Sequence, residues 1–312
     1  FQSFPSVEGI KSFAPPEQLN ITSPVMEHHQ KNERGNSIII STISRYFRFP
    51  QSFEEILYLS RVQQALAIQT AVEYWRSRRP VCMGTLYWQL NDNWPVASWS
   101  SLEYEGAWKP LHYSAKRFYA PQHIALFSGT NKIEVHGIND SFESVPGSLQ
   151  LDLYTFEGKL AKHSLETATL VAETASLLKT VAVPANREFL TSHFYYARFT
   201  PENPDYPPIE SSLLLMRPKE CSIQPAAIQS ELIQSADGIK LRLFSDTPAF
   251  FVVLEAVALQ DAAPVRFSDN NFTLLPSCEK WIDVFTEGNT ELPDSTAEAL
   301  KQNLRIHALR SF

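Results

Sequence analysis

No stretch of about 18 apolar residues occurs in the 312-residue chain, so the sequence offers no membrane-spanning helix. Runs of basic residues are also missing. Lys and Arg number 27 against 34 Asp and Glu, a formal charge of −7 at pH 7. Phosphate binding needs clustered cations, so nucleic acid is not expected as a partner. A Gly-rich phosphate loop, a His-Glu-x-x-His and a Gly-x-Ser-x-Gly are all absent, which leaves nucleotide binding and zinc proteolysis without support. Cysteine is scarce. Cys82, Cys221 and Cys278 are odd in number and widely spaced, without metal-like pairing, so neither a metal nor another cofactor is expected. Cys82 lies in an apolar run and is expected as a buried thiol; Cys221 and Cys278 are open to pairing. Internal repeats and low-complexity tracts are not evident. The chain opens Phe1-Gln2-Ser3-Phe4-Pro5 without an initiator Met or a signal peptide, and reads as the middle of a longer, processed or truncated polypeptide.

What is present is ample apolar material. Apolar residues make up 44% and charged residues 20%, a balance that builds cores and excludes disorder as the dominant state. At roughly 100–200 residues per domain, two or three domains are expected. Five of the six Trp fall between Trp75 and Trp108. Ser52-Phe53-Glu54-Glu55 has the form of a capping box, and Ile56, Leu59, Val62 and Leu66 form one helical stripe, predicting a long helix to about Arg78. Pro80 ends it. Val81 to Leu90 is nearly continuous in apolar residues and fits a strand covered on both faces, as in parallel sheets. A long polar and aromatic loop follows, and Pro110 opens a second helix. Helix, buried strand, loop and helix indicate an α/β fold. Beyond residue 120 the pattern changes. Leu149, Leu151 and Leu153 alternate with polar residues, as do Ile239, Leu241 and Leu243. Ile133 with Val135, Phe194–Phe199 and Phe250–Leu254 read as further strands. Glu157-Gly158 and Asp237-Gly238 mark turns, and Pro201 to Pro208 a loop. Two β-sandwiches meeting near Pro218 to Ser222 account for this region.

The chemistry-bearing candidates gather in Leu86-Tyr87-Trp88-Gln89-Leu90-Asn91-Asp92-Asn93-Trp94-Pro95. Trp88 lies near the C-terminal end of the expected strand, where α/β barrels build their active sites. A flat indole beside carboxamides suits a neutral polyhydroxylated ligand, the ring packing on a sugar face and the amides bonding its hydroxyls. Trp88 packing a core is the competing reading. Glu103 and Glu105 are candidate paired carboxylates for glycoside hydrolysis, against a solvated loop face. His28-His29 lacks enough neighbouring ligands for a metal, and His112 on the second helix reads as structural. Asn20, Asn139 and Asn271 head Asn-X-Ser/Thr sequons and are N-glycosylation candidates, leaning toward a secretory route.

The run from Cys82 to Asp92, with Trp94-Pro95, Ser98-Trp99-Ser100-Ser101, Trp108-Lys109 and Leu111-His112-Tyr113, resembles the β-mannosidases of glycoside hydrolase family 2, the fungal type among them. Phe1-Gln2-Ser3-Phe4-Pro5-Ser6 fits as well, and Arg266-Phe267-Ser268-Asp269-Asn270 matches the last domain more weakly. The strong part covers about residues 1–120. The resemblance implies a multidomain α/β plus β chain: the end of a (β/α)8 TIM barrel (1–120, with 81–90 as the eighth strand), then two immunoglobulin-like β-sandwich domains (121–219 and 220–312). It implies retaining hydrolysis of terminal non-reducing β-D-mannosides and manno-oligosaccharides by two Glu. Neither catalytic Glu falls in this chain; the nucleophile is expected just before Phe1 and the acid/base farther upstream. Glu103 and Glu105 are thereby removed as the dyad, and the isolated chain is expected to be inactive. Trp88 matches the family's Trp lining the mannose subsite. Asn91 and Asp92 are expected to shape the pocket rim, and Trp94 to line the entrance or serve structure. The implied partners are a β-mannoside and the missing N-terminal part of the same polypeptide, in a secreted, vacuolar or lysosomal setting. The rival readings are a β-galactosidase or β-glucuronidase of the same family, and a noncatalytic carbohydrate-binding or purely structural sandwich fragment. The Met83 to Asn91 run favours the mannosidase, and no cation sits beside Trp88 to hold a glucuronate.

Overall fold

Polar caps set the helices of the first part of the chain. Ser6 accepts from Gly9 N at the start of α1 (Val7–Lys11), and Ser23 accepts from Met26 N at the start of α2 (Pro24–His28), which has Pro in its first turn. α3 spans Gly35–Tyr46 and α4 Phe53–Arg76. The computed structural model describes residues 1–235, 238–256, 265–286 and 300–312. At the head of α4, Ser52 Oγ accepts from Glu55 N (3.1 Å). The Glu55 carboxylate reaches back one residue farther than a simple capping box, to Gln51 N (2.6 Å). Leu59 and Val62 are buried as the stripe requires, but so are Leu57, Tyr58, Ser60, Arg61, Gln63, Gln64 and Ala65. The middle of α4 is therefore enclosed on all sides, and its polar residues must find partners inside the protein.

The Val81–Leu90 segment departs from expectation. It forms no strand, and its apolar side chains stand in solvent: Val81 is 92% exposed, Leu86 96% and Trp88 73%. Met83 through Leu86 make no backbone–backbone hydrogen bond among the described residues. A strand of a parallel sheet is buried only by neighbours on both sides and helices on both faces. Every strand pairing among the described residues is antiparallel, so this run has no parallel neighbour. Cys82, expected as a buried thiol, is half-buried for the same reason.

Packing divides the chain into two compact units, residues 1–68 with 87–114 and 225–312, and residues 69–86 with 115–224. The second of these contains β1 (Gln122–Gly129), β2 (Lys132–Asn139), β3 (Val145–Thr155), β4 (Leu160–Leu170), β5 (Thr174–Ala182), β6 (His193–Pro201) and β7 (Ile209–Leu214). They form a β1-β2-β5 sheet and a β4-β3-β6-β7 sheet. Ile124, Leu126, Ile133 and Val135 from one sheet meet Leu149, Leu151, Leu153, Ala197 and Phe199 from the other in one core, which makes a β-sandwich. Gly158 turns the β3–β4 hairpin with φ +94°, a value that favours Gly. The Pro-rich loop expected from Pro201 to Pro208 is the connection from β6 to β7, residues 202–208, with Pro201 closing β6. Asp152, a polar partner in the Leu149–Leu153 alternation, is buried. It accepts from Gln150 Nε2 (2.6 Å) and lies 2.7 Å from His163 Nδ1. The last turns of α4 and the turn after it join this unit: buried Glu73 bonds His123 Nε2 (2.9 Å), and Arg76 and Arg79 both reach Asp140 (2.7 and 2.6 Å). A short helix, α5 (Pro110–Phe118), precedes β1, and α6 (Arg187–Ser192) precedes β6.

In the other unit, β8 (Gln229–Ser235), β9 (Gly238–Phe244), β10 (Ala249–Ala256), β11 (Val265–Phe267), β12 (Phe272–Leu274), β13 (Lys280–Thr286) and β14 (Leu304–His307) form a β12-β10-β14 sheet and a β11-β13-β9-β8 sheet. Ile239, Leu241 and Leu243 face Val252, Leu254 and Leu274 in a shared core. Gly238 has φ +118° and opens β9; Asp237 lies outside the described residues. α4 is fastened to this sandwich. Tyr58 Oη donates to Phe251 O (2.8 Å), Arg61 pairs with Glu255, and Arg305 Nη1 lies 3.8 Å from Glu54. Tyr113 of α5 packs into the same core and accepts from Phe267 N (3.3 Å).

Candidate functional site

Trp88 is the most conspicuous group in the loop region. It is not a core residue, contrary to the competing expectation; its indole stands in solvent. The residues on either side of it are held by one short segment, Ser98-Trp99-Ser100-Ser101, whose three serines are fully buried. Gln89 N donates to Trp99 O (3.1 Å), and Ser101 N donates to Gln89 O (3.0 Å). Gln89 Nε2 donates to Asp92 Oδ1 and to Asn91 O, both at 3.0 Å. Ser98 Oγ donates to Asp92 Oδ2 (2.5 Å). On the other side, Tyr87 Oη and Ser101 Oγ are hydrogen-bonded at 2.9 Å, and Ser101 Oγ lies 3.0 Å from His112 Nδ1. Ser98 is itself paired through its backbone with Ser3, in both directions. His112, expected as structural, anchors this chain, packs edge-on against Trp108 with ring centroids 4.3 Å apart, and has its pKa lowered by burial.

The other candidates fall in different places. Asn91 is exposed, whereas Asp92 is buried with both carboxylate oxygens occupied. Trp94 is half-buried beside His29 (4.9 Å, tilted) and His28 (5.7 Å, edge-on), with Lys31 Nζ 5.8 Å from its ring. His29 stacks on Phe13 (4.1 Å) and bonds Pro95 O through Nδ1 (2.6 Å). The two histidines thus belong to an aromatic cluster, and no metal-ligating group of three exists among the described residues.

Glu103 and Glu105 are not a pair. Glu105 is exposed, while Glu103 is buried and accepts from Ser6 N (2.7 Å) and Ser6 Oγ (2.9 Å). The loop bends so that Glu103 clasps the start of α1. Burial raises its pKa, opposed by the charges of Arg61 and Lys109.

Lys109 was missed by motif reasoning as a chemical group. It is 1% exposed, and its Nζ has no hydrogen-bond partner among the described residues. Burial lowers its pKa to about 8, against the pull of Glu103 and Asp92. Below that pH both folded and unfolded chains carry the proton. Between pH 8 and the ordinary lysine range only the unfolded chain keeps it, so stability rises with pH across that window. We predict that wild type gains on Lys109→Met between pH 8 and 10, by up to about 1.4 kcal/mol per pH unit. Urea titrations at several pH values read this directly, and parallel stability curves for the two proteins would refute it.

The sequons also separate. Asn20 is exposed and accepts from Thr22 N and Oγ1 (3.0 and 2.9 Å). Asn139 is fully buried and donates to Glu143 O and Leu170 O (2.8 and 2.9 Å). Asn271 is buried and donates to Ser114 Oγ (3.1 Å). The amide nitrogens of Asn139 and Asn271 are committed inside the fold, which leaves Asn20 as the surface sequon. Cys221 is buried with its thiol 3.5 Å from Met216 O, Cys278 is exposed, and neither is in a disulfide. Among the described residues no helix is long and apolar enough to cross a membrane.

Residues 223–312 match the mannosidase Ig-fold domain. β-Mannosidase of Mus musculus is 28% identical over 298 residues, covering 88% of this chain and 33% of the mouse protein. β-Mannosidase A of Neosartorya fischeri is 25% identical, covering 93% of this chain and 35% of that protein. The chain is similar to the C-terminal part of a glycoside hydrolase family 2 β-mannosidase. It spans about a third of the length of the β-mannosidases it matches. The crystal structure of a β-D-mannosidase from Dictyoglomus thermophilum superposes with a TM-score of 0.85 at 23% identity, covering 99% of this chain and 36% of that one. An exo-chitosanase from Amycolatopsis orientalis superposes at 0.75 and 17% identity, covering 99% of this chain and 41% of that one, so the fold is shared beyond the β-mannosidases. The mostly β architecture and the Ig-like C-terminal domain agree with these likenesses.

Proposed function

We propose that this chain is the C-terminal part of a retaining exo-β-mannosidase that releases terminal non-reducing β-D-mannose from β-mannosides and manno-oligosaccharides. The observation that carries the reading is the bare apolar run from Val81 to Leu90, ending in an exposed Trp88 whose neighbours on both sides are fixed. In the complete polypeptide this run is the last strand of a (β/α)8 barrel. Upstream strands and helices cover Val81, Met83 and Leu86, and Trp88 emerges at the barrel's C-terminal face. Residues 1–120 are then the end of the barrel, 121–219 a β-sandwich and 220–312 the terminal one.

The chemistry is double displacement. One Glu attacks the anomeric carbon while a second protonates the leaving oxygen; the second then activates water against the glycosyl-enzyme. Both Glu lie outside this chain. Trp88 supplies a flat apolar wall to the mannose ring, Asn91 and Asp92 belong to the rim, and Trp94 flanks the entrance. A secreted, vacuolar or lysosomal setting goes with this reading, supported by the exposed sequon at Asn20.

The test is hydrolysis of an aryl β-D-mannoside by the complete polypeptide and by residues 1–312 separately. The complete polypeptide is expected to cleave it and to release β-mannose first, seen by NMR before mutarotation. The 312-residue chain is expected to show no turnover. Turnover by the shorter chain, or a complete polypeptide that ignores β-mannosides in favour of β-galactosides or β-glucuronides, would overturn the proposal.

A further inference from the structure

We infer that Asp92 and Ser101 are positioning residues for the Trp88 indole, acting through Gln89 and Tyr87. The inference rests on the reading of Trp88 as the wall of the mannose subsite. Asp92 is poorly suited to touch a sugar directly. It is 8% exposed, its Oδ1 accepts from Gln89 Nε2 (3.0 Å), and its Oδ2 accepts from Ser98 Oγ (2.5 Å). Ser98 is in turn fixed by backbone bonds to Ser3 (2.9 and 3.2 Å). On the far side of Trp88, Tyr87 Oη is bonded to Ser101 Oγ, which also donates to Leu90 O (3.1 Å) and meets His112 Nδ1 (3.0 Å).

Two short polar relays therefore grip the residues immediately before and after Trp88. Both end on the same buried segment, Ser98–Ser101. The Gln89 backbone is bonded to that segment through both its N–H and its carbonyl. A half-free exposed indole would lose conformational freedom on meeting a sugar, and that loss would weaken binding. Fixing the backbone on either side removes much of that loss beforehand and aims the ring within the tolerance that catalysis needs. The Ser-Trp-Ser-Ser motif, whose small polar residues carry no hydrophobic period, acquires a physical role as the anchor of this brace.

The test is a double-mutant cycle in the complete polypeptide, reading kcat/KM on an aryl β-D-mannoside alongside the melting temperature. Asp92→Ala alone is expected to lower kcat/KM by about 10-fold through misplacement of Trp88. In a Trp88→Ala background the same change is expected to cost less than about 2-fold, because the group it positions is gone. Ser101→Ala is expected to behave in the same way. Asp92→Asn keeps one acceptor for the Gln89 amide and should recover part of the loss. Equal losses in both backgrounds, with or without a lowered melting temperature, would mean that Asp92 acts independently of Trp88 and would overturn the inference while leaving the mannose-subsite reading intact. If Trp88→Ala itself leaves kcat/KM unchanged, the subsite reading fails and the inference fails with it.

Discussion

Trp88→Ala in the complete polypeptide is expected to lower kcat/KM for an aryl β-mannoside by about two orders of magnitude or more, equivalent to about 3 kcal/mol of transition-state stabilisation. The indole is 73% exposed in this chain, so its removal disturbs little of the chain's own packing. An effect on turnover would then be an effect on what the ring faces. The retaining mechanism distorts the sugar toward an oxocarbenium-like geometry. A rigid flat wall that fits the distorted ring better than the ground state accelerates the chemical step, so kcat should fall along with kcat/KM. A rise in KM alone would assign Trp88 to uniform binding. Unchanged kinetics would remove it from the site.

The second large effect is expected in folding. Arg61 sits on the enclosed middle of α4 and pairs with Glu255 of β10, with side chains 4% and 13% exposed. Arg61 Nε also donates to Leu57 O (3.3 Å). Burial by itself would raise the Glu255 pKa. The charge of Arg61, then that of His307, outweighs it and leaves the carboxyl lowered. Arg61→Met strands a buried carboxylate and is expected to cost about 3–5 kcal/mol of stability. Replacing both members, Arg61→Met with Glu255→Leu, should recover most of it, because two apolar groups need no solvation. The sign with pH follows from the lowered carboxyl. The pair's contribution is complete above the ordinary Glu range and is lost as pH falls through the lowered folded value, so the difference between wild type and Arg61→Met should shrink in acid. Urea unfolding followed by Trp fluorescence measures both effects. A single-mutant cost below about 1 kcal/mol would show the pair to be solvated like a surface bridge.

This pair also illustrates how the sequence can mislead. Its stripe Ile56, Leu59, Val62 and Leu66 describes a helix with one wet side. The enclosed residues Ser60, Arg61 and Gln64 show otherwise, since each bonds groups far along the chain, such as Gln64 with Ser3 (2.8 Å). Local periodicity reports which face is apolar; whether the other face is wet depends on what folds over it. Glu103 makes the same point from the other direction. A glutamate in a polar loop reads as solvated, yet Ser6, 97 positions away, supplies two donors that hold it inside.

Period-two alternation was legible in the sandwiches. Leu149, Leu151 and Leu153, and Ile239, Leu241 and Leu243, pack inward where the pattern puts them, because a strand's side chains must alternate whatever its neighbours. Helix α4 was legible from its cap, which depends on residues within a single turn. The motif around Trp88 was legible only as a resemblance to β-mannosidases. The run from Val81 to Leu90 was legible only as an apolar segment: its burial as a strand requires parallel strand partners, and every strand pairing among the described residues is antiparallel.

The sequence by itself determined the cap of α4, the β3–β4 turn at Gly158 and the alternating cores, because caps, turns and side-chain alternation are set by residues a few positions apart. Only the tertiary structure decided that Asp92 faces Gln89 and Ser98, that Glu103 clasps Ser6, that Asn139 and Asn271 turn their amides inward, and that Lys109 is buried without a hydrogen-bond partner among the described residues. Those outcomes depend on where distant segments meet, and a polar side chain carries no mark of whether water or another part of the chain will satisfy it.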